Sequence, residues 1–469
     1  MKKFLALVIT AAMLLSLAVV GISAAEVYDG TSVSASLSGA GTEADPYLIA
    51  NGADLAYFAA NPVDGASYKM TADIVWATAP AADNWTPVAF NGTFDGNGYS
   101  ISGLYIKGAK TAALFETATG TIKNLTVKDS YFEGTKYVGA IVGQFVAGDK
   151  KDAMPSLTIE NCVSYAEITA TKKNALIGSM VGDAFANANT PTYGVITISG
   201  CVNYGKVNST ADATIYVGAI VGRIFGCPAI IENCANFGDI EAISAISGGV
   251  VGQSGIKGYA DADHKTTIIN CYNAGNVSAK RISGGIIGRA YPGTEVTNCV
   301  NLGNSTITVV DTENDGYAKQ MGPITGHGAD KVAEEYPNCG VITNCYTSAD
   351  AVMTNTNDAA ATPYYADAAT VKTAAELNSD AMVAALGDAW TLADGVLALK
   401  AVLTAGKVES AEPEVTEPVA PETTEPAPET TEPAPADPVP TGDSALIFVV
   451  IAILSAAAVA VVAKKRVNE

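Results

Sequence analysis

"NCYNAGNVSAKRISGGIIGRA" occupies Asn270–Ala290, and a blurred copy of it, "ENCANFGDIEAISAISGGVVGQS", begins at Glu232. Both place an Asn before a Cys, a Gly four residues past that Cys, and a Gly–apolar–apolar–Gly unit behind. Cysteine marks the register. Asn161-Cys162, Gly200-Cys201, Asn233-Cys234, Asn270-Cys271, Asn298-Cys299 and Asn344-Cys345 open successive copies, 28 to 46 residues apart. In an earlier copy, "IKNLTV" (Ile122–Val127), Leu125 stands where the others have Cys. A position that accepts Leu asks for a buried apolar side chain, not for thiol chemistry.

Three residues before each Cys stands Ile159, Ile198, Ile231, Ile268, Val296 or Ile342, and the residue between is mostly polar. Such alternation is the mark of a half-buried strand. An offset of three between two buried residues breaks the period of two, so the chain must turn a corner there. Asn, tolerant of left-handed dihedrals, suits that corner, and Asn233, Asn270 and Asn298 are assigned to it. Gly205, Gly238, Gly275 and Gly303 mark a second bend. The third element reads "VGAIVGQ" (138–144), "IGSMVGD" (177–183), "VGAIVGR" (217–223), "SGGVVGQ" (247–253), "SGGIIGR" (283–289) and, degraded, "MGPITGH" (321–327). Its β-branched residues flanked by Gly143, Gly182, Gly222, Gly252 and Gly288 are expected to form one short strand between tight turns.

Each copy thus offers three short strands and three corners in as few as 28 residues. One such coil cannot bury its own apolar face, but stacked coils share a continuous core. The expected fold is all-β: a right-handed parallel β-helix, or solenoid, with small N- and C-terminal caps. Cys162, Cys201, Cys234, Cys271, Cys299 and Cys345 would form an inward ladder of free thiols, since side chains pointing the same way do not suit disulfide geometry. Cys227 and Cys339 fall outside the register and are the candidates for a bond or a reactive thiol.

The Gly–apolar–apolar–Gly unit resembles the GLUG motif of repeat surface proteins of Gram-positive bacteria. "GTEADPYLIANGADLAYFA" (Gly41–Ala59) and "DIVWATAPAADNWTPVAFNGTFDGNGYSISGLYI" (Asp73–Ile106) look like the N-terminal module of that class. The resemblance covers roughly residues 40 to 350 and implies a pectin-lyase-like β-helix; it brings no single chemistry with it. The zinc-peptidase chemistry of some GLUG-bearing immunoglobulin proteases does not carry over, because His-Glu-x-x-His is absent.

The remaining segments set location. Residues 1–25, with two lysines, an apolar stretch and small residues at Ser23 and Ala25, read as a secretory signal peptide. Ala445–Ala463 is 19 uncharged residues followed by Lys464, Lys465 and Arg466, which reads as a membrane helix with a cytoplasmic tail. Before it, Glu409–Pro440 holds nine prolines and nine acidic residues in 32, an extended self-repelling spacer. "PVPTGDS" (Pro438–Ser444) resembles the sorting signals cut by sortases, which implies Thr441–Gly442 as the cut pair; Pro438 and Val439 stand where that pattern has Leu and Pro. Covalent attachment to the cell wall and retention by the membrane helix both stay open. The organisation is therefore a signal peptide (1–25), N-terminal cap and first coils (26–120), β-helix repeats (121–352), C-terminal cap or small module (363–407), spacer (408–440), and sorting-like motif, membrane helix and basic tail (441–469). Asn51 is assigned as the N-cap of a helix in the N-terminal lid, with Trp76 and Trp85 nearby.

Chemistry is sparse. The 27 basic against 48 acidic residues argue against nucleic acid as a partner. With only His264 and His327, and no C-x-x-C pair, neither a metal nor another cofactor is expected. "FDGNGYS" (Phe94–Ser100) reads as a tight turn, not a calcium loop. Glu160, Asp239 and Arg289 are scattered singly through the repeats and read as solvated residues, so no catalytic residue is assigned. The expected function is a cell-surface, non-enzymatic β-helix that binds an extracellular glycan or protein, held to cell wall or membrane through its C-terminus. The alternatives are a cell-attached polysaccharide lyase or hydrolase, and a structural stalk.

Overall fold

The computed structural model describes residues 26–78, 82–147, 155–186, 194–210, 216–242, 246–255, 265–307, 320–327, 340–355 and 369–405. The signal-like segment, the spacer, Thr441, Gly442, the apolar segment 445–463 and Cys339 lie outside them. Among the described residues no helix is long and apolar enough to cross a membrane.

Short parallel strands stack into three sheets of 16, 13 and 10 strands, called here the long, second and narrow faces. A coil is easily followed from Cys201. Val202–Asn203 lies on the narrow face, Val207–Ser209 and Tyr216–Gly218 on the second, and Val221–Phe225 and Ala229–Glu232 on the long face. The chain then returns, one rung along, at Cys234. Equivalent residues align rung on rung: Ile159 with Ile198, Ile198 with Ile231, Ile231 with Ile268, and Ile268 with Val296. All five are fully buried. Each contributes about 1.5–3 kcal/mol of burial, which a lone coil could not collect. This is a parallel β-helix.

The corners follow from local chemistry. Asn161, Asn233, Asn270, Asn298 and Asn344 have φ between 51° and 56°, and Gly200 holds the same place at 62°. Asn accepts that left-handed state at small cost, whereas a β-branched residue would not. The Asn side chains also join neighbouring corners: the Nδ2 groups of Asn161 and Asn270 donate to the Oδ1 atoms of Asn124 and Asn233 at 2.8 and 3.2 Å.

The Gly–apolar–apolar–Gly unit departs from the single strand expected of it. In "VGAIVGR", Tyr216–Gly218 ends on the second face, Ala219 and Ile220 turn the corner, and Gly222 already lies in Val221–Phe225 on the long face. The unit is a corner straddled by two strands. Its glycines answer to crowding, not to unusual dihedrals. A Cβ on Gly222 would meet the carbonyl oxygen of Gly182 at 2.4 Å and the backbone nitrogen of Ile177 at 2.5 Å. Both are backbone atoms, which cannot rotate aside. Gly222→Ala should therefore destabilise the fold by about 1–3 kcal/mol or more, as overpacking does; a denaturant midpoint unchanged from wild type would contradict the close approach.

A second ladder runs inside. Asn203, Asn236, Asn273 and Asn301, two residues after each Cys, are buried. The Nδ2 groups of Asn203, Asn236 and Asn273 donate to the Oδ1 atom of the next rung's Asn at 2.8–2.9 Å. They also donate to the carbonyls of Gly205, Gly238 and Gly275, within their own coils, at 2.8–2.9 Å. A buried amide with its groups satisfied in this way costs little to enclose.

The N-terminal end is plugged by the helix Gly52–Ala60, capped by Asn51, whose Oδ1 accepts from the Asp54 N–H at 3.0 Å. Its Phe58 sits among Tyr68, Phe90, Phe94 and Phe115 at centroid distances of 4.7–6.3 Å. The C-terminal segment behaves differently from a plug. Thr370–Lys372 adds a strand to the narrow face, and the helices and hairpin that follow lie along its flank. There Leu377, Met382, Leu386, Trp390, Leu397 and Leu399 bury against Val163, Val202, Ala235, Tyr272 and Val300. The narrow face points alternate residues outward, and those residues are apolar, so a cover along the side is what the sequence demands.

Candidate functional site

The residue after the second Gly of each unit forms a column on the long face. Gln144 pairs with Asp183, Asp183 with Arg223, Arg223 with Gln253, Gln253 with Arg289, and Arg289 with His327. Phe145, Ala184, Ile224 and Ala290, one residue further on, turn into the core. Strand alternation thus leaves the polar column on the outer side, with Phe185, Phe225 and Tyr291 two residues along on that same side.

The column divides in two. In its first half the charges are matched. The Nε and Nη2 groups of Arg223 donate to the two carboxylate oxygens of Asp183 at 2.8 and 3.1 Å, and Gln144 Nε2 donates to Asp183 Oδ2 at 3.0 Å. Asp183 is fully buried, and the Arg223 side chain is 21% exposed. The guanidinium also lies 5.9 and 5.0 Å from the ring centroids of Phe185 and Phe225, which stack on each other at 5.8 Å.

The second half is unmatched. Gln253 is 3% exposed with no partner for Oε1, and neither Arg289 Nε nor His327 Nδ1 has one. No carboxylate among the described residues pairs with Arg289. Its guanidinium lies 5.8 Å from the Tyr291 ring, and that ring is 6.5 Å from His327. Burial, then the neighbouring Arg289 charge, holds the His327 imidazole down at about 4. The linkage has a definite sign. The unfolded chain takes up this proton near pH 6.5, the folded one only near pH 4, so this contribution to stability is whole above pH 6.5 and falls as pH drops through that window. On going from pH 7 to pH 5 wild type should lose stability relative to His327→Gln in denaturant unfolding, because the unfolded chain takes up the proton there and the folded chain does not; a difference between the two proteins that is the same at both pH values would contradict the buried neutral imidazole.

Several residues singled out by sequence lie elsewhere. Arg289, read as solvated, is instead half-buried in this column, with Gln253 and His327 on the adjoining rungs. Cys162, Cys201, Cys234, Cys271, Cys299 and Cys345 line up inside as free thiols, each sulfur facing backbone carbonyls at 3.2–3.8 Å. Burial pushes the Cys201, Cys234 and Cys299 thiols well above the usual value. Cys227, considered for a bond or reactivity, is free and 1% exposed, and burial pushes its thiol up to about 12; an inaccessible protonated thiol is inert. Gly143, Gly182, Gly222, Gly252 and Gly288 sit in the long-face strands beside the corner. Asp239 is tied by Asn276, whose N–H and Nδ2 donate to its Oδ1 at 3.0 and 2.9 Å. Trp76 and Trp85 pack edge to face at 5.1 Å within the N-terminal lid. Among the described residues no His, Cys, Asp and Glu converge as a metal site.

Sequence reading passed over the column although its signal was in view. The heptads end in Gln, Asp, Arg, Gln, Arg and His, polar in all six copies directly after the second Gly.

No protein-family model matches the chain. It is 36% identical over 132 residues to "Halomucin" of Haloquadratum walsbyi, a match covering 24% of this chain and 1% of that protein's length. Among solved structures it is similar to a "putative immunoglobulin A1 protease" from Bacteroides ovatus, with 21% identity, a TM-score of 0.48, and coverage of 77% of this chain and 94% of that one.

Proposed function

We propose that the chain is an exported, surface-held β-helix whose outer wall binds an extracellular glycan or protein without transforming it. The observation that carries this reading is the long-face column, where unpaired polar groups and an aromatic ring stand together on a rigid wall. The only carboxylate in it, Asp183, is held by three donors, a poor arrangement for a general base that must exchange protons freely. The signal-like N-terminus, the acidic proline-rich spacer, the apolar segment 445–463 and the likeness to GLUG-motif surface proteins support placement at the cell surface. Thr441–Gly442 would serve as a sortase cut site, and the membrane helix as the other means of retention.

A glycan and matrix-protein array probed with the full chain tests this. Binding to some members is expected; silence on all would leave a structural stalk as the better reading. A cell-attached carbohydrate-active enzyme is favoured only by the presence of carboxylate, guanidinium and imidazole in one column. Release of unsaturated or reducing sugars from polyuronides would establish it.

A further inference from the structure

The two ends of the solenoid are finished differently. At the N-terminal end the helix Gly52–Ala60 and the rings around Phe58 fill the axis. At the other end the last strands are Met321–Gly322, Thr325–His327, Val341–Thr343, Met353–Asn355 and Thr370–Lys372, and among the described residues nothing pairs with their far sides. The C-terminal helices and hairpin do not cover them, because they lie along the narrow face.

Positions that are buried in earlier coils come into the open on this last rung. The inner column of Asn203, Asn236, Asn273, Asn301 and Thr347 ends at Val371, which is 59% exposed. The core column that contains Ile268 and Val296 ends at Ile342, which is only half-buried. Met353, in register with the buried Val277 and Ser305, is half-buried as well. Beside Val371 and Met353 lies a cavity of about 240 Å³ that reaches down to Asn301 and Thr347.

The backbone agrees. Asn298 N donates to Thr343 O at 3.1 Å, and Thr370 N donates to Cys345 O at 3.0 Å, so Thr343 and Thr370 bond back to the coil beneath. Neighbouring residues of a strand bond to opposite sides, which sends the N–H and C=O groups of Ile342 and Val371 out of the end. Exposed edges of this kind are ordinarily guarded by charged side chains or proline. In a chain with 48 acidic residues these five strands hold none, and their one lysine, Lys372, is tied to Glu376 at 3.3 Å.

We propose that this end is a docking surface for the same end of a second copy of this chain. The occupant follows from shape. A single extended peptide would pair with one face and leave the other two, whereas another coil end offers strands along all three at once. The N-terminal end has its axis filled by Phe58, so it is the two C-terminal ends that meet. Related by a two-fold axis, their strands run antiparallel, and an antiparallel hydrogen-bonded pair exchanges both of its bonds. Val371 and Met353 of each copy then close the cavity of the other.

The tether leaves this end free. Ala401 lies against the Gly200 corner, where a Cβ on the glycine would stand 3.8 Å from that of Ala401, and the described chain stops at Ala405. That corner is four coils short of the one opened by Cys345. The spacer Glu409–Pro440 begins four residues beyond Ala405. At ~3.1 Å per residue it reaches roughly 100 Å. Pairing end to end sets the two Gly200 corners about 40 Å apart at ~4.8 Å per coil, within reach of two copies held on one surface.

Sedimentation equilibrium of the full chain in a neutral detergent tests the proposal. A reversible monomer–dimer equilibrium is expected. Val371→Lys and Val341→Lys should each raise the dimer dissociation constant about tenfold or more, because each brings an unpaired cation into the joint. Val63→Lys, at an exposed valine of the N-terminal end, should leave it unchanged. Val371 and Val341 are 59% and 53% exposed in the single copy, so lysine there leaves the fold intact, which thermal melting checks. Hydrogen exchange gives a readout that needs no variant: the amides of Ile342 and Val371 should slow as concentration rises through the dimer range. A chain that stays monomeric at its highest soluble concentration would overturn the proposal, as would growth into longer polymers. So would a dimer indifferent to both lysines, the result that pairing through the apolar segment 445–463 would give.

Discussion

Asn236→Ala is expected to lower the free energy of unfolding by about 3–4 kcal/mol, although it deletes a small side chain from a long protein. The amide of Asn236 donates to Asn273 Oδ1 and to Gly238 O, both at 2.8 Å, and accepts from Asn203 Nδ2 at 2.9 Å and Gly238 N at 3.1 Å. Its removal strips partners from both neighbouring rungs and from its own turn, all shut away from water. Each buried group so orphaned costs about 1–3 kcal/mol, more than the same hydrogen bond contributes when made. The effect should fall toward the ladder's end. Asn203 has no partner for its own Oδ1, and the rung before it carries Ser164, so Asn203→Ala loses fewer interactions. Urea unfolding of the two variants checks this, and a cost below about 1 kcal/mol for Asn236→Ala would show the ladder to be incidental.

Asp183→Ala is expected to be comparably severe, at about 3–5 kcal/mol, because it leaves the Arg223 guanidinium largely buried without its counter-charge. The double variant Asp183→Ala/Arg223→Leu should recover much of that loss, since a buried ion pair is often replaceable by apolar residues of similar bulk. Arg223→Leu would lie against Phe185 and Phe225, which already flank the guanidinium. A double-mutant cycle by denaturant unfolding separates the two contributions. Additive losses would mean that the pair is not coupled, contrary to its geometry.

The fold was legible because a solenoid writes its register into the chain. Cys162 through Cys345, with an Ile or Val three residues ahead, fix where each coil begins, and the break in alternation at that point requires the Asn corner. What escaped was set by coil-to-coil contact. Nothing in "VGAIVGR" alone tells a strand from a corner. Gly222 is glycine because the carbonyl of Gly182, in the coil beneath, occupies the space a Cβ would need. The inner ladder of Asn203, Asn236, Asn273 and Asn301 was visible as Cys-x-Asn, yet an Asn on a strand looks outward until its amide partners are seen. Arg289 was misjudged for a related reason. Read one copy at a time it is a lone surface charge; read down the column it stands between Gln253 and His327. The side placement of Leu377–Leu399 could not be drawn from its own sequence, because the apolar surface that receives it is assembled from five coils.

The central claim is that equivalent side chains of successive coils stack out of water around one axis. Mass spectrometry after maleimide treatment of the native chain measures this directly, since a thiol must be both exposed and ionised to react. Cys162, Cys201, Cys234, Cys271 and Cys299 are fully buried and should stay unmodified until denaturant is added, then react together as the coils part. Rapid modification of Cys201, Cys234 and Cys271 under native conditions would contradict the stacked register and everything built on it.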